Sequence, residues 1–226
     1  MIESGNTSNA FKITTGYGKW ILRSLKNEVQ GIIELKVSKD IHKQIPDIVA
    51  EIIYTKNNEP FVWHGGRLYN LQKYMEGHKV TPNLDCHFQI GESIGRVHKF
   101  LEVCDCRHNQ TDRFDIERLW GKVKHKWQNL YNYSPELVPD TDKMNSIIND
   151  FINHTSVKSN LIHGDLGVWN MLIKQQKVKI IDFGEARLGN FYFDLSAGIT
   201  TAIREDSNDV EIKYKLSRIL NGYEKV

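Results

Sequence analysis

The chain has 226 residues, enough for two modest lobes or one large domain with a proper core. Its acidic and basic residues nearly balance at a formal +2, so no global field argues for nucleic acid or a membrane as a partner. Three cysteines, an odd number, suggest no disulfide framework; with no apolar run approaching about 18 residues and no basic-then-apolar leader, the expected location is the cytoplasm.

In chain order, the first third reads as β-rich. "NAFKITT" alternates, Gly16-Tyr17-Gly18 supplies a turn, and "KWILRSL" resumes as a second strand. "NEVQGIIELKVSKDIHKQ", closed by Pro46, sets Val29, Ile32, Ile33 and Lys36 at helical spacing. "DIVAEIIYT", "PFVWH" and "GRLYNLQKYMEG" then read as strands separated by "KNNE" and "HGG" turns. From about Asn83 the period becomes helical. "HFQIGESIGRVHKFLEV" gathers Phe88, Ile94, Val97, Phe100 and Leu101 on one face, and "DIERLWGKVKHKWQNLYNY" makes a stripe of Ile116, Leu119, Trp120, Val123, Trp127 and Leu130. After "SPELVP", "DKMNSIINDFINH" repeats the pattern, and "DVEIKYKLSRILNGY" closes the chain with one more helix. The expectation is an α+β fold of two lobes. Residues 1–76 form a small β-rich N-lobe with one helix, and residues 77–226 a larger, mostly helical C-lobe interrupted by a hairpin.

That hairpin carries the chemistry. In "LIHGDLGVWNMLIKQQKVKIIDFGEA" two short apolar runs each end on an aspartate, Asp165 and Asp182, with Asn170 between them and "KQQK" as the turn. Magnesium takes oxygen ligands and keeps several waters, so one carboxylate, one carboxamide and substrate phosphates make a reasonable site. The second aspartate is then free to orient a nucleophile. Asp165, Asn170 and Asp182 fit as base, ligand and ligand of a phosphoryl-transfer centre.

"HGDLGVWN" resembles the catalytic loop HGDxxxxN of the aminoglycoside phosphotransferase and choline kinase superfamily, and "IIDFGEA" resembles its metal-binding motif. The resemblance implies a protein-kinase-like fold that moves the γ-phosphate of ATP or GTP, with Mg2+, to a small-molecule hydroxyl. It makes Asp165 the catalytic aspartate and Asn170 and Asp182 the magnesium ligands. His163 becomes a structural prop, and Asp194 of "GNFYFDLS" braces the loop. "SGNTSNAFKITTGYGKWILR" looks like the family's first hairpin, with Gly5 and Asn6 near the phosphates. There Arg23 would contact the nucleotide phosphates and Glu28 would be its helix partner. "LYNLQKYMEG" resembles the strand into the interlobe hinge, whose backbone at Lys73, Tyr74 and Met75 would meet the adenine edge. "IGESIGRVHKFL" looks like the first C-lobe helix with its histidine, His98. The phosphate loop begins at residue 4, which leaves little lead-in strand, and most members continue beyond the point where "NGYEKV" ends with helices that wall the acceptor site. The resemblance therefore reaches further for the nucleotide than for the acceptor.

A peptide substrate is disfavoured. Only "FGEARLGNFYF" separates Asp182 from Asp194, no Ala-Pro-Glu follows, and Gly164 stands where protein kinases carry arginine. By family membership the leading acceptor is an aminoglycoside antibiotic, which would make the protein a resistance enzyme. A choline- or homoserine-type metabolite comes next, and a nucleotide-binding module without turnover after that. No nucleic acid, membrane or obligate protein partner is expected. Glu185, Glu205, Asp206, Asp112 and Asp115 could serve a polyamine-like acceptor, but each is more economically a solvated carboxylate. Trp120, Trp127, Tyr131 and Tyr133 could cage a quaternary amine, but their spacing reads better as packed core. Cys104-x-Cys106 with His98 and His108 is a poor zinc pattern. Lys122, Lys124 and Lys126 read as the solvated face of a core helix rather than a membrane-binding stripe.

Overall fold

The computed structural model describes residues 9–25, 28–104, 115–154, 160–203 and 207–226. Its first elements are β1 (Ala10–Thr15), β2 (Gly18–Ser24), α1 (Glu28–Gln44), β3 (Ile52–Ile53), β4 (Val62–His64) and β5 (Arg67–Lys73). All the strands pair antiparallel in one sheet: β1 on β2, β2 on β5, and β3 and β4 in succession along the far edge of β5. The register sets Arg23 of β2 opposite Asn70 of β5, both buried. Strand β3 is far shorter than "DIVAEIIYT" suggests. The Ile48 carbonyl accepts from Ile180 N–H at 2.9 Å and the Val49 carbonyl meets His42 Nδ1 at 2.7 Å, so neither joins a ladder.

Helix α1 buries Ile33, Leu35, Val37 and Ile41, while Val29 and Ile32 are 67% and 42% exposed and Lys36 is exposed. The inward stripe is therefore rotated from the expected one, and it carries an acid, Glu34, into the interior.

The second half continues with β6 (His78–Lys79), α2 (His87–Val103), α3 (Ile116–Tyr133), α4 (Thr141–His154), β7 (Asn160–Ile162), β8 (Met171–Lys174), β9 (Lys177–Ile180), β10 (Arg187–Gly189), α5 (Phe191–Ala202) and α6 (Asp209–Glu224). Strands β6, β8 and β9 make a three-stranded sheet, and β7 pairs with β10. The "KQQK" turn is a tight one, with Gln175 and Gln176 both at positive φ, 50° and 62°. Helix α5, which periodicity did not single out, starts on Asn190, whose side chain accepts the Tyr192 N–H at 2.9 Å.

One continuous core joins α1, α2, β8, β9, α5 and α6 through Ile41, Ile48, Ile90, Ile94, Val97, Met171, Ile180, Leu195 and Ile219. Helix α3 lies outside it. It has no buried residue, and its half-buried Trp120 and Trp127 pack edge to face at 5.9 Å with their N–H groups on Asn145 Oδ1 and Pro139 O. The expected core stripe is thus a two-helix contact with α4. No helix among the described residues is long and apolar enough to cross a membrane.

Candidate active site

The 163–170 loop leaves β7 and is held from below by one buried carboxylate. Asp194, on the first turn of α5, accepts the His163 N–H at 2.7 Å and the Gly164 N–H at 2.8 Å, and lies 3.4 Å from His98 Nε2. Burial opposes its charge, but the His98 contact and the Gly164 N–H outweigh it and hold the carboxyl below its ordinary range. His98 in turn meets Tyr223 OH at 3.0 Å and stacks on Phe191 at 4.2 Å, so it is a satisfied packing residue. His163 receives the Asp165 N–H on Nδ1 at 3.3 Å and faces the Ile181 carbonyl with Nε2 at 3.0 Å, a pair of contacts that the Nε2–H tautomer satisfies.

Gly164 sits at φ 83°, in the left-handed region. A Cβ there would also collide with the Arg187 guanidinium and the Glu185 carbonyl. Arg187 Nη1 donates to both the Gly164 and Glu185 carbonyls at 2.9 Å. The loop thus receives a buried guanidinium from β10 rather than from position 164, a contact that no motif flagged.

Asp165, Asn170 and Asp182 come together. Asn170 Nδ2 donates to Asp165 O at 2.8 Å and to Asp165 Oδ2 at 3.0 Å, while the Asn170 carbonyl accepts the Ile181 N–H at 3.0 Å. Asp182 takes a left-handed φ of 67°, unusual for a non-glycine residue, and its Oδ1 accepts the Gly184 N–H at 3.3 Å. Arg23 Nη2 reaches the same Oδ1 at 2.6 Å, and Arg23 Nη1 pairs with Glu34. Burial pulls the Arg23 guanidinium down, but Glu34 and Asp182 more than offset it and hold it above its ordinary value. Burial raises the Asp182 carboxyl, yet Arg23 wins and holds it below its usual range. Glu34 goes the other way: its complete burial pushes it up despite Arg23.

The partner of Arg23 on α1 is therefore Glu34, which corrects the expected Glu28. Glu28 is exposed at the helix start, six residues earlier and off the inward face. Gly5 and Asn6 lie outside the described residues, as do Cys106, His108, Asp112, Glu205 and Asp206. At the end of β5, where the hinge is expected, Lys73 N–H donates to Glu51 O at 2.9 Å and Tyr74 N–H to Lys19 O at 3.0 Å. Met75 N–H is the one of the three with no partner among the described residues.

The donor set suits a hard divalent cation. Asn170 must aim Nδ2 at the Asp165 carboxylate, an acceptor only, which leaves Oδ1 as its free oxygen. Asp182 is 39% exposed with Oδ1 engaged, which leaves Oδ2. Two such oxygens, completed by waters and phosphates, would match the way magnesium is held.

A family model described as the phosphotransferase enzyme family (APH) matches residues 2–226. The chain belongs to that family. No curated protein sequence matches it significantly. Among solved structures, the amicoumacin kinase hAmiN in complex with AMP-PNP, Ca2+ and Ami is 16% identical, with a TM-score of 0.73 over 100% of this chain and 72% of that one. Spectinomycin phosphotransferase APH(9)-Ia, in complex with ADP and its antibiotic, gives 14%, 0.65, 100% and 74%. An aminoglycoside phosphotransferase from Alicyclobacillus acidocaldarius gives 14%, 0.67, 99% and 74%. At these identities the likeness establishes the fold, the two-lobed protein-kinase-like one. Within this family member, the Arg23–Asp182 contact joins the N-terminal sheet to the segment after β9.

Proposed function

We propose that this phosphotransferase moves the γ-phosphate of ATP or GTP to a hydroxyl of a small molecule, with an aminoglycoside-type antibiotic as the leading acceptor. The observation that carries the reading is the joint placement of Asp165, Asn170 and Asp182: Asn170 Nδ2 donates to Asp165, and the Asn170 carbonyl accepts the N–H of Ile181, the residue before Asp182. Family membership, and nucleotides in related structures of the same fold, support the donor. In this reading residues 1–76 carry the nucleotide and residues 77–226 the acceptor.

Met75 N–H, the open hinge donor, meets the base edge, with Lys73 and Tyr74 contributing carbonyls. Arg23, already beside Asp182, contacts the phosphates, a role that the motif also gives to Gly5 and Asn6. Asn170 and Asp182 would hold Mg2+, which would supply neutralisation of charge on the phosphates. Asp165 orients the acceptor hydroxyl. As its oxygen bonds to the γ-phosphorus, the bond from phosphorus to the β,γ-bridging oxygen breaks and the proton passes to Asp165. Little base strength is needed, because the transition state is loose and the proton leaves late.

The test is nucleotide consumption with ATP and with GTP against aminoglycosides, macrolides, choline and homoserine, with Asp165→Asn as control. Acceptor-dependent turnover lost in the variant is expected. Magnesium–nucleotide binding with no turnover on any acceptor would favour a binding module instead, and turnover that survives Asp165→Asn would remove Asp165 from its role.

A further inference from the structure

Both oxygens of the Asp165 carboxylate accept a hydrogen bond from its own loop. Oδ2 takes Asn170 Nδ2 at 3.0 Å, and Oδ1 takes the indole N–H of Trp169 at 3.3 Å. The first donor belongs to the metal set; the second has no part in the reading above. Trp169 reaches Asp165 because Gly167 makes space for it: a Cβ at Gly167 would overlap indole Cη2, Cζ2 and Cε2. Gly167 has φ −82° and ψ 166°, which any residue adopts, so the missing side chain serves the ring and not the backbone. One side of the indole is thus packed on Gly167, its N–H edge meets Asp165, and the residue is still 53% exposed. An exposed indole fixed at the edge of a carboxylate offers a flat apolar surface beside a hydrogen-bond acceptor.

We propose that Trp169 is a positioning and specificity-determining residue for the transfer. Its N–H sets the orientation of the Asp165 carboxylate, and its open face is the floor on which the acceptor lies while its hydroxyl reaches Oδ1. A carboxylate oxygen has two lone pairs, so Oδ1 receives the indole N–H and the hydroxyl together. Such a floor selects a hydroxyl carried on a saturated ring, whose C–H face covers the indole, over a short linear alcohol, which leaves the ring bare. The inference rests on the reading of Asp165 as the acceptor-orienting group.

Two measurements test it. The chain has five tryptophans, and the indole N–H resonance lost in Trp169→Phe identifies that of Trp169. Asp165→Ala should shift that resonance and leave the other four in place, a result that needs no acceptor. In turnover, Trp169→Phe keeps an aromatic face and loses the donor, so kcat should fall about tenfold, the scale of one hydrogen bond to a charged group, with the acceptor KM near wild type. Trp169→Ala should raise the acceptor KM as well, and Gly167→Ala, which displaces the ring, should reproduce it; the nucleotide KM stays unchanged in all three. An indole resonance unmoved by Asp165→Ala, or kinetics of Trp169→Ala indistinguishable from wild type, overturns the proposal. Turnover that survives Asp165→Asn overturns the reading beneath it instead, so the two failures are told apart.

Discussion

Glu28 and Glu34 sit on the same helix, and only one of them can reach Arg23. Acidic identity and closeness to β2 favour Glu28. The helix phase decides otherwise, because Glu34 falls in register with Val37 and Ile41 on the buried face. Removing one member of a buried ion pair leaves its partner less well compensated, here with Asp182 alone on Arg23, so Glu34→Gln should cost about 2–4 kcal/mol in urea unfolding, whereas Glu28→Gln should stay within about 0.5 kcal/mol. Equal effects from the two would return the partnership to Glu28. Gly164 supplies a second test at this scale. Alanine there meets both a left-handed φ and the Arg187 guanidinium, so Gly164→Ala should lose about 3 kcal/mol and depress turnover along with it. Wild-type stability in that variant would mean that the loop has another backbone path open to it.

At the scale of elements, what could be read from sequence was whatever rests on local pattern. The Asp165, Asn170 and Asp182 spacing is local to one hairpin, and the α2 stripe of Ile94, Val97 and Leu101 proves buried as its period requires. Glu34, Arg187 and Tyr223 were missed because their partners are distant in the chain, at Arg23, Gly164 and His98. Helix α5 was missed for a related reason: Phe191, Phe193, Leu195 and Ile199 are apolar around much of its circumference, which blurs the period that would announce it. The α3 stripe misled in the opposite sense, since good periodicity guarantees a packed face but not a core. The β8–β9 turn is a third case. Gln175 and Gln176 both hold positive φ without the residues that do so cheaply, and replacing them with Asn-Gly should raise stability by about 1 kcal/mol, read from the urea midpoint. No gain would mean that the Gln89–Gln176 side-chain contact contributes as much as the turn strain costs.

Across the whole molecule, several carboxyls share one sign of perturbation. Asp182 ties the N-terminal sheet to the C-terminal hairpin, Asp47 accepts from Arg96 of α2, and Asp194 ties the 163–170 loop to α2 and, through His98, to α6. All three carboxyls are held below their ordinary values against the opposing effect of burial, by Arg23, by Arg96, and by His98 respectively. A group of this kind contributes stability that is complete above its unfolded pKa of about 3.8 and lost as pH falls through the lower folded value. Glu34, raised by burial, works in reverse: its contribution is present below its unfolded pKa and fades as pH rises through the folded one. Asp194, the fully buried one of the three, should dominate the acid limb, so the urea midpoint should hold from pH 7 to about 5 and fall toward pH 3. Asp47 is partly exposed and screened, so Asp47→Asn should change this curve little. Asp194 is fully buried with three donors on it, so Asp194→Asn should be markedly less stable at pH 7, with the gap to wild type closing as the pH approaches 3. A gap that stays constant from pH 7 to pH 3 would mean that the cost of the variant is steric, and that the charge of Asp194 does not hold the 163–170 loop in place.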